Sequence, residues 1–260
     1  MDHTKIDWAD MSWNPVTGCR HGCEYCYARR IAGRYGGYVS GGQKITFNPY
    51  EGQPELNEPM TTIRKDGSFA AAPYPFGFEP TFHRYRLGEP ARKQRPRNIF
   101  VCSMADLFGR WVPTRWIIEV LDACQAAPQH NYLFLTKNPQ RYVELDEMAL
   151  LPRNQNFWYG TTATEAGQPY FYSDFHNTFV SVEPITGPVF PDGCLRVDWV
   201  IVGAETGNRA DKVAPEPAWI HSLLDACQLE EVPLFMKGNL APYWAGELVQ
   251  ELPTGLRGDI

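Results

Sequence analysis

Short apolar runs alternate with segments of helical periodicity from residue 98 to residue 236. Runs typical of buried strands occur at 98–102, 131–135, 157–161, 178–182, 197–202 and 233–236. Amphipathic helices are predicted between them at 114–126, 139–150 and 216–227. Short apolar strands separated by amphipathic helices are typical of parallel strands that helices cover. This part of the chain is therefore predicted to form an α/β structure with a parallel sheet.

The first 97 residues follow a less regular pattern. Residues 11–18 are predicted to form a first strand that ends in a turn, and residues 26–35 a helix that ends at Gly36-Gly37. Residues 36–97 are rich in Gly, Pro and aromatic side chains without sustained periodicity. We interpret them as a long insertion after the first helix.

The number of strands predicts the architecture. The first strand and the six later ones make about seven β-α steps, which suits a partial or complete TIM-type (β/α) barrel. A doubly wound open sheet is the alternative. We expect a single domain over residues 1–260, with the insertion at about 36–97. Polar residues follow nearly every strand, and the carboxyl ends of parallel strands carry the active site in such folds, so they indicate one shared site.

Composition limits the class of protein. The hydrophobic fraction of 43% and the charged fraction of 21% are ordinary for a globular domain. No run approaches the roughly 18–20 apolar residues of a membrane span, and the first residues lack the pattern of a secretory signal. We therefore expect a cytoplasmic location without membrane contact. The net charge of −6 argues against a surface that binds nucleic acid all round, but a local basic patch is compatible with it.

Three of the seven cysteines lie within eight residues, at Cys19, Cys23 and Cys26. An odd count at this close spacing does not suit a secreted disulfide framework and indicates a metal or redox role. Three thiolates in a C-x3-C-x2-C loop can hold one corner of a [4Fe–4S] cluster and leave its fourth iron without a protein ligand. The alternatives are a zinc site with His21 as the fourth ligand, and a set of free thiols.

The sequence around these cysteines, TGCRHGCEYCYA, resembles the signature of radical S-adenosylmethionine (SAM) enzymes. This resemblance implies a [4Fe–4S] cluster and SAM as cofactors, a barrel of the radical SAM type, and an external electron donor of the flavodoxin or ferredoxin type. It also implies that one electron cleaves the bound SAM to a radical that abstracts hydrogen from a substrate. Tyr25 holds the position of the aromatic residue before the third cysteine and would lie near the SAM adenine.

Segments along most of the chain resemble a phage-associated radical SAM family of unassigned function. The segments are IDWADMSWNPVTGC, FVCSMADLFGRWVP, FLTKNPQR, FVSVEPITGPV and DWVIVGAETG, spread from residue 6 to about residue 209. This likeness implies no substrate, so the function has to be argued from the site.

A more distant resemblance is to spore photoproduct lyase, the radical SAM enzyme that repairs a thymine dimer in DNA. The shared pieces are the cysteine loop, Cys102-Ser103 after the second strand and Thr136-Lys137 after the third. The resemblance implies that Ser103 and Lys137 hold the SAM carboxylate. It also implies that Thr161 and Thr162 lie near the ribose.

These resemblances also imply roles for three further residues. The run from Val202 to Glu205 is similar to the glycine-bearing strand that lines the adenine in many radical SAM enzymes, which implies cofactor contacts for Gly203 and Glu205. Cys102 matches the cysteine that returns a hydrogen atom to the product radical in the lyase, so it is a candidate catalytic hydrogen donor. The alternative is that Cys102 packs as a small apolar residue.

A basic segment precedes the second strand. Residues 83–97 carry six Lys or Arg against one acidic residue, with His83 and Tyr85 interleaved. Such a segment can bind phosphates, so we expect a contact with a nucleic-acid substrate here; the alternative is a solvated linker.

The resulting hypothesis is a radical SAM lyase or modifying enzyme that repairs or modifies a nucleic-acid base. Radical chemistry on a peptide or small metabolite, and a non-catalytic zinc-binding protein, are the alternatives.

Overall fold

The computed structural model of the chain describes residues 1–36, 52–63, 66–190, 195–207, 209 and 212–256. Its α-helices are α1 (Tyr27–Tyr35), α2 (Thr114–Gln125), α3 (Gln140–Glu147) and α4 (Pro217–Leu229). Its β-strands are β1 (Asp2–His3), β2 (Met11–Trp13), β3 (Val16–Thr17), β4 (Glu55–Leu56), β5 (Thr61–Ile63), β6 (Phe69–Ala71), β7 (Thr81–His83), β8 (Asn98–Val101), β9 (Asn131–Thr136), β10 (Phe157–Thr162), β11 (Asn177–Val182), β12 (Trp199–Val202) and β13 (Leu234–Met236).

The main sheet has the strand order β1-β2-β8-β9-β10-β11-β12-β13. β1 pairs with β2 in antiparallel fashion, and all later neighbours are parallel, so seven parallel strands follow one another in chain order. The sheet curls into a half-barrel. This confirms the prediction of a partial barrel, because a doubly wound sheet would reverse its strand order at one point.

The two faces of the sheet pack differently because successive strand residues point to opposite faces. The outer face packs under α2 and α3 in one buried cluster and under α4 in another. The inner face carries a third buried cluster of mostly aromatic side chains, which includes Phe100, Trp158, Phe179 and Trp199. Full burial of one such side chain contributes roughly 1.5–3 kcal/mol, so both faces drive the folding of the sheet.

The loop between β1 and β2 closes part of the open side of the half-barrel. It inserts Trp8 among the inner-face aromatic rings, with its ring centroid 4.8 Å from that of Phe100 and 6.2 Å from that of Trp199. The Gly238 N–H, just beyond β13, donates to Asp7 Oδ2 at 2.8 Å. The first and last strands of the sheet are therefore linked through this loop.

The single strand predicted over 11–18 is wrong. β2 belongs to the main sheet, whereas β3 pairs with β7 in a separate three-stranded sheet of order β3-β7-β4. Pro15 lies between them, and proline cannot donate to a continuing ladder. Asn14 also turns its amide oxygen toward the residues after β8, where the Met104 N–H donates to it at 2.9 Å.

The described part of the insertion carries β4 to β7, with β5 and β6 forming a hairpin. Residues 37–51 and 64–65, on which part of the predicted insertion falls, lie outside the described residues. Arg84 joins this region to α2, because its guanidinium donates to Glu119 Oε2 at 2.7 Å and to Glu55 Oε2 at 2.8 Å. The division of the chain into one domain with an insertion stays a prediction.

All four predicted helices are present, with ends that shift by at most three residues. The described residues of the connections 163–176 and 183–198 contain no helix, so the alternation of strand and helix is incomplete in the second half of the sheet. None of the described helices is long and apolar enough to cross a membrane.

Candidate functional site

A cavity of about 200 Å³ opens at the carboxyl edge of the half-barrel. Its rim is formed by the cysteine loop, defined here as residues 18–26, and by residues that directly follow the parallel strands. Rim residues include Cys19, Cys23, Cys26, Ser103, Lys137 and Glu205. The fold therefore brings predicted site residues from four separate stretches of the chain to one cavity.

The backbone of the cysteine loop is fixed by close packing at both ends. Gly18 has a φ of +88°, and a Cβ at this position would lie 2.2 Å from the carbonyl oxygen of Glu79. Only glycine fits both requirements. At the other end, the Cys26 Sγ caps α1 by accepting from the Arg29 N–H at 3.3 Å. An Arg29 guanidinium N–H also donates to the carbonyl oxygen of Cys19 at 3.1 Å.

The three thiols line the same cavity, so their sulfur atoms can be considered together as ligands of one metal centre. Within the described ranges, no three His, Cys, Asp or Glu side chains are grouped so that they could hold one metal ion. A cubane cluster takes each thiolate at a different iron, so its ligands need not converge on one point. Soft sulfur donors are the ligands that such clusters use. The donor set therefore fits a [4Fe–4S] cluster.

Burial raises the pKa of the Cys19 thiol to about 12, and the nearby carboxylate of Asp106 adds to the rise. The metal-free thiol is therefore protonated at neutral pH. Because a metal takes the thiolate, loading of the centre would release protons.

Asp106 is the hub that joins the cysteine loop to the sheet. Its carboxylate is buried, with Oδ2 2.6 Å from His21 Nε2 and accepting from the Lys137 N–H at 3.0 Å. Oδ1 accepts from the Thr136 hydroxyl at 2.7 Å and from the Phe108 N–H at 3.0 Å. One carboxylate thus fixes the ends of β8 and β9 and tethers the loop through His21.

The two lysines of the cavity are in different electrostatic situations. Lys137 Nζ donates to the Tyr25 hydroxyl at 3.0 Å and lies 5.3 Å from the centre of the Tyr25 ring. No carboxylate of a described residue lies within salt-bridge distance of it. Lys237, which follows β13, is paired with the carboxylate of Glu183. Lys137 therefore offers a positive charge to an anionic ligand, whereas the charge of Lys237 is already compensated.

Neighbouring residues at two strand ends have different surroundings. Thr162 lines the cavity, whereas the hydroxyl of fully buried Thr161 accepts from the Phe171 N–H at 3.1 Å. Ser103 likewise lines the cavity, and its hydroxyl donates to Asn14 Oδ1 at 3.2 Å. The Cys102 side chain, 2% exposed, packs in the outer core. Alternation along β10 separates Thr161 from Thr162, whereas Cys102 and Ser103 follow the end of β8, where the backbone of Cys102 has a φ of +60°.

The thiol of Cys102 stays protonated in its present surroundings. Burial raises its pKa to about 12, and its backbone has a φ of +60°, in the left-handed region. Its role as a hydrogen donor stays a prediction, and the donor would have to act from the core side of the strand end.

The residues after β12 connect to the cysteine loop. Glu205 is 3% exposed and accepts two hydrogen bonds from Arg209, at 2.9 and 2.8 Å, and these bonds hold the pKa of its carboxyl below the usual range. Arg209 also reaches Glu24 of the cysteine loop at 3.3 Å. Gly203 leaves space for Lys237, whose Cδ would lie 3.0 Å from a Cβ at this position.

The exposed part of the basic segment lies at the opposite edge of the sheet from the cavity. Arg92, Lys93 and Arg95 are exposed and lead into the amino end of β8. The Asn131 N–H at the start of β9 donates to the Arg97 carbonyl at 2.9 Å, which places this segment beside the amino ends. The predicted contact with nucleic acid stays a prediction, and through these residues it would lie away from the cavity.

Lys237, Trp8 and Ser181 line the cavity but were missing from the sequence-based site. The sequence could have indicated Lys237 as a site residue, because it directly follows a buried strand as Lys137 does. Nothing in the sequence indicates Trp8 or Ser181 as site residues, since an aromatic residue in a loop and a serine inside a strand are ordinary features.

The fold and the site define a class of protein: an α/β half-barrel with a three-cysteine loop at the carboxyl edge of its parallel sheet. Residues 3–245 match the family described as "Protein of unknown function (DUF5131)", and the chain belongs to this family. Comparison with curated proteins and with solved structures gives no match. The family description assigns no activity, so the chemistry has to be argued from the cavity.

Proposed function

We propose that this protein is a radical SAM enzyme that holds a [4Fe–4S] cluster through Cys19, Cys23 and Cys26. The observation that carries the proposal is that all three thiols line the same cavity as Lys137, whose ammonium group has no carboxylate partner among the described residues. A cation that can bind the carboxylate of SAM, placed beside three sulfur ligands, is what SAM chemistry requires. The resemblance to the radical SAM signature and to spore photoproduct lyase points to the same activity.

The rim residues suit the binding of SAM. Lys137 would bind its carboxylate through charge-assisted hydrogen bonds, and Ser103 would join it once its hydroxyl turns away from Asn14 Oδ1. Thr162 would lie near the ribose and Tyr25 near the adenine. Glu205 is engaged with Arg209, so we assign it to the shape of the adenine wall rather than to a free hydrogen-bond acceptor.

When bound and reduced by a flavodoxin- or ferredoxin-type donor, the cluster supplies one electron that cleaves SAM to methionine and a 5′-deoxyadenosyl radical, which removes hydrogen from the substrate. The chain's own part is to hold the reactants and to exclude water. Ile6, Trp8, Phe100 and Leu135 give the cavity an apolar lower wall. Such a wall protects a reactive intermediate from side reactions.

The proposal is tested with protein reconstituted anaerobically with iron and sulfide. We expect about four iron atoms per chain, as the cluster requires, and release of 5′-deoxyadenosine when SAM and dithionite are added. Alanine at any one of the three cysteines is expected to abolish this release. Cys227→Ala is the matched control, because Cys227 is buried in α4 away from the cavity. We expect it to keep both iron and cleavage.

Two results would contradict the proposal. One is a loaded cluster that yields no 5′-deoxyadenosine. The other is a colourless, zinc-containing protein after anaerobic purification, which would favour a non-catalytic metal-binding role.

A further inference from the structure

Two residues that line the cavity each carry a buried polar atom with no hydrogen-bond partner within the described part of the chain: Trp8 Nε1 and Ser181 Oγ. Trp8 is 3% exposed and Ser181 is fully buried, and both residues line the cavity. A buried donor without a partner destabilises the folded state, because the loss of its contact with water is not offset by a hydrogen bond. Such groups are rare in folded proteins and call for an explanation.

These atoms lie deeper than the rim residues. Ser181 is inside β11, two residues before the rim residue Glu183, and Phe100 is inside β8, three residues before Ser103. At about 3.3 Å per residue, Ser181 lies roughly 7 Å below Glu183. A ligand group that reaches it therefore extends into the half-barrel, below Lys137 and the cysteine loop.

The chemistry of the lower wall limits what can occupy it. An indole N–H can only donate, so its partner must present an acceptor, whereas the serine hydroxyl can donate or accept. The neighbouring surfaces are the rings of Trp8 and Phe100 and the side chains of Ile6 and Leu135, which suit a flat apolar face. The complementary group is planar, apolar on its faces, and carries acceptors on its edge.

We propose that Trp8 and Ser181 form a subsite for a nucleobase of the substrate. Purines and pyrimidines carry ring nitrogen and carbonyl acceptors in the plane of an aromatic ring. Enzymes that act on a base read it by hydrogen bonds to its edge and by contact of its faces with aromatic side chains. The inference rests on the proposed function for its place in a reaction, but binding at the subsite can be measured without SAM cleavage.

A third tryptophan provides a matched control. Trp158 Nε1 is likewise buried without a partner among the described residues, and Trp158 packs in the same inner cluster as Trp8. It is not among the residues that line the cavity. A change to phenylalanine removes an indole N–H and leaves a similar void in both cases, so only the change at Trp8 should affect a ligand.

The experiment is calorimetric titration of the full-length, reconstituted protein in saturating S-adenosylhomocysteine, which occupies the cofactor's own adenine site. One arm uses free nucleosides, and the other uses short single-stranded oligonucleotides. We expect Trp8→Phe and Ser181→Ala each to weaken binding by about three- to tenfold, the value of one hydrogen bond. Trp158→Phe should leave the affinity unchanged.

The two arms identify the source of the base. Binding of nucleosides indicates a free nucleoside or nucleotide as substrate, and binding of oligonucleotides alone indicates a base within a strand. The proposal is overturned if neither arm binds, if Trp8→Phe binds as wild type does, or if Trp8→Phe weakens only the affinity for S-adenosylhomocysteine. If the protein releases 5′-deoxyadenosine but does not bind a nucleobase, the subsite proposal is rejected and the radical SAM proposal is retained. If it binds a nucleobase but releases no 5′-deoxyadenosine, the radical SAM proposal is rejected and the subsite proposal is retained.

Discussion

The two edges of the half-barrel use polar residues in different ways. At the amino edge, polar side chains bond to backbone groups at strand ends. Asp198 Oδ2, for example, accepts from the Thr178 N–H at 2.7 Å and from its hydroxyl at 3.1 Å. Asp10 Oδ2 accepts from the Asn98 N–H at 2.7 Å in the same way. At the carboxyl edge, polar side chains also bond to one another around a cavity, as Asp106 does with His21 and Thr136.

The polar residues of the amino edge contribute to stability, whereas those of the carboxyl edge are available for function. A side chain that satisfies a strand-end N–H stabilises the sheet, and nothing is left over for a ligand. The side chains around the cavity keep a cation, three thiols and an apolar wall available. Changes at the amino edge should therefore lower stability alone, and changes at the carboxyl edge should lower binding.

The largest effect is expected for Asp106→Asn, which would remove a charge and turn an amide N–H toward one of the donors around it. We expect the free energy of unfolding to fall by about 2–4 kcal/mol and iron incorporation to fall strongly, because the cysteine loop loses its tether. Denaturant unfolding and iron analysis measure the two effects. His21→Ala should lose iron with a smaller loss of stability, and full iron content in Asp106→Asn would refute the role of the hub.

A second comparison sets Lys137→Met against Lys237→Met. We expect Lys137→Met to weaken SAM binding by about 10- to 100-fold, since one charge-assisted hydrogen bond is worth roughly 1.5–3 kcal/mol. Lys237→Met should have a much smaller effect on SAM, because the charge of Lys237 is compensated by Glu183. Equilibrium dialysis with labelled SAM gives both values. Equal losses would mean that salt-bridge status does not distinguish the two lysines.

At the amino edge, Asp198→Ala leaves the Thr178 N–H without its acceptor. We expect a loss of about 1–3 kcal/mol in the free energy of unfolding, with an unchanged affinity for SAM. Chemical denaturation and the same dialysis assay test this. A weaker affinity for SAM in this variant would break the separation of the two edges.

The last prediction concerns pH and His83, which is fully buried in β7. Burial lowers its pKa to about 3, with a further contribution from Arg86, whereas the unfolded chain has a histidine pKa near 6.5. Between these values the unfolded state binds more protons. The stability that neutral His83 contributes is thus complete above about pH 6.5 and falls by up to about 1.4 kcal/mol per pH unit below it. His83→Gln should flatten this slope in unfolding measured from pH 7 to pH 4, and an unaltered slope would contradict the assignment.

The sequence predicted the regular part of the fold well, because strand and helix patterns are local. The strand β9 was expected at 131–135 and is Asn131–Thr136, and α2 was expected at 114–126 and is Thr114–Gln125. The first strand was mispredicted, because Val16 and Thr17 pair with β7, a partner 65 or so residues away. Which sheet a short apolar run joins depends on that partner and not on the run itself.

The site was predicted in part for the same reason. By itself the sequence determined the cysteine spacing, the strands and the polar residues that follow them, since each depends on neighbours along the chain. Only the tertiary structure decided that Thr162 and Ser103 face the cavity while Thr161 and Cys102 do not. It also decided the contact of His21 with Asp106, 85 residues apart, and the insertion of Trp8 below them. These facts depend on strand register and on the curl of the sheet, and both are fixed by packing between distant segments.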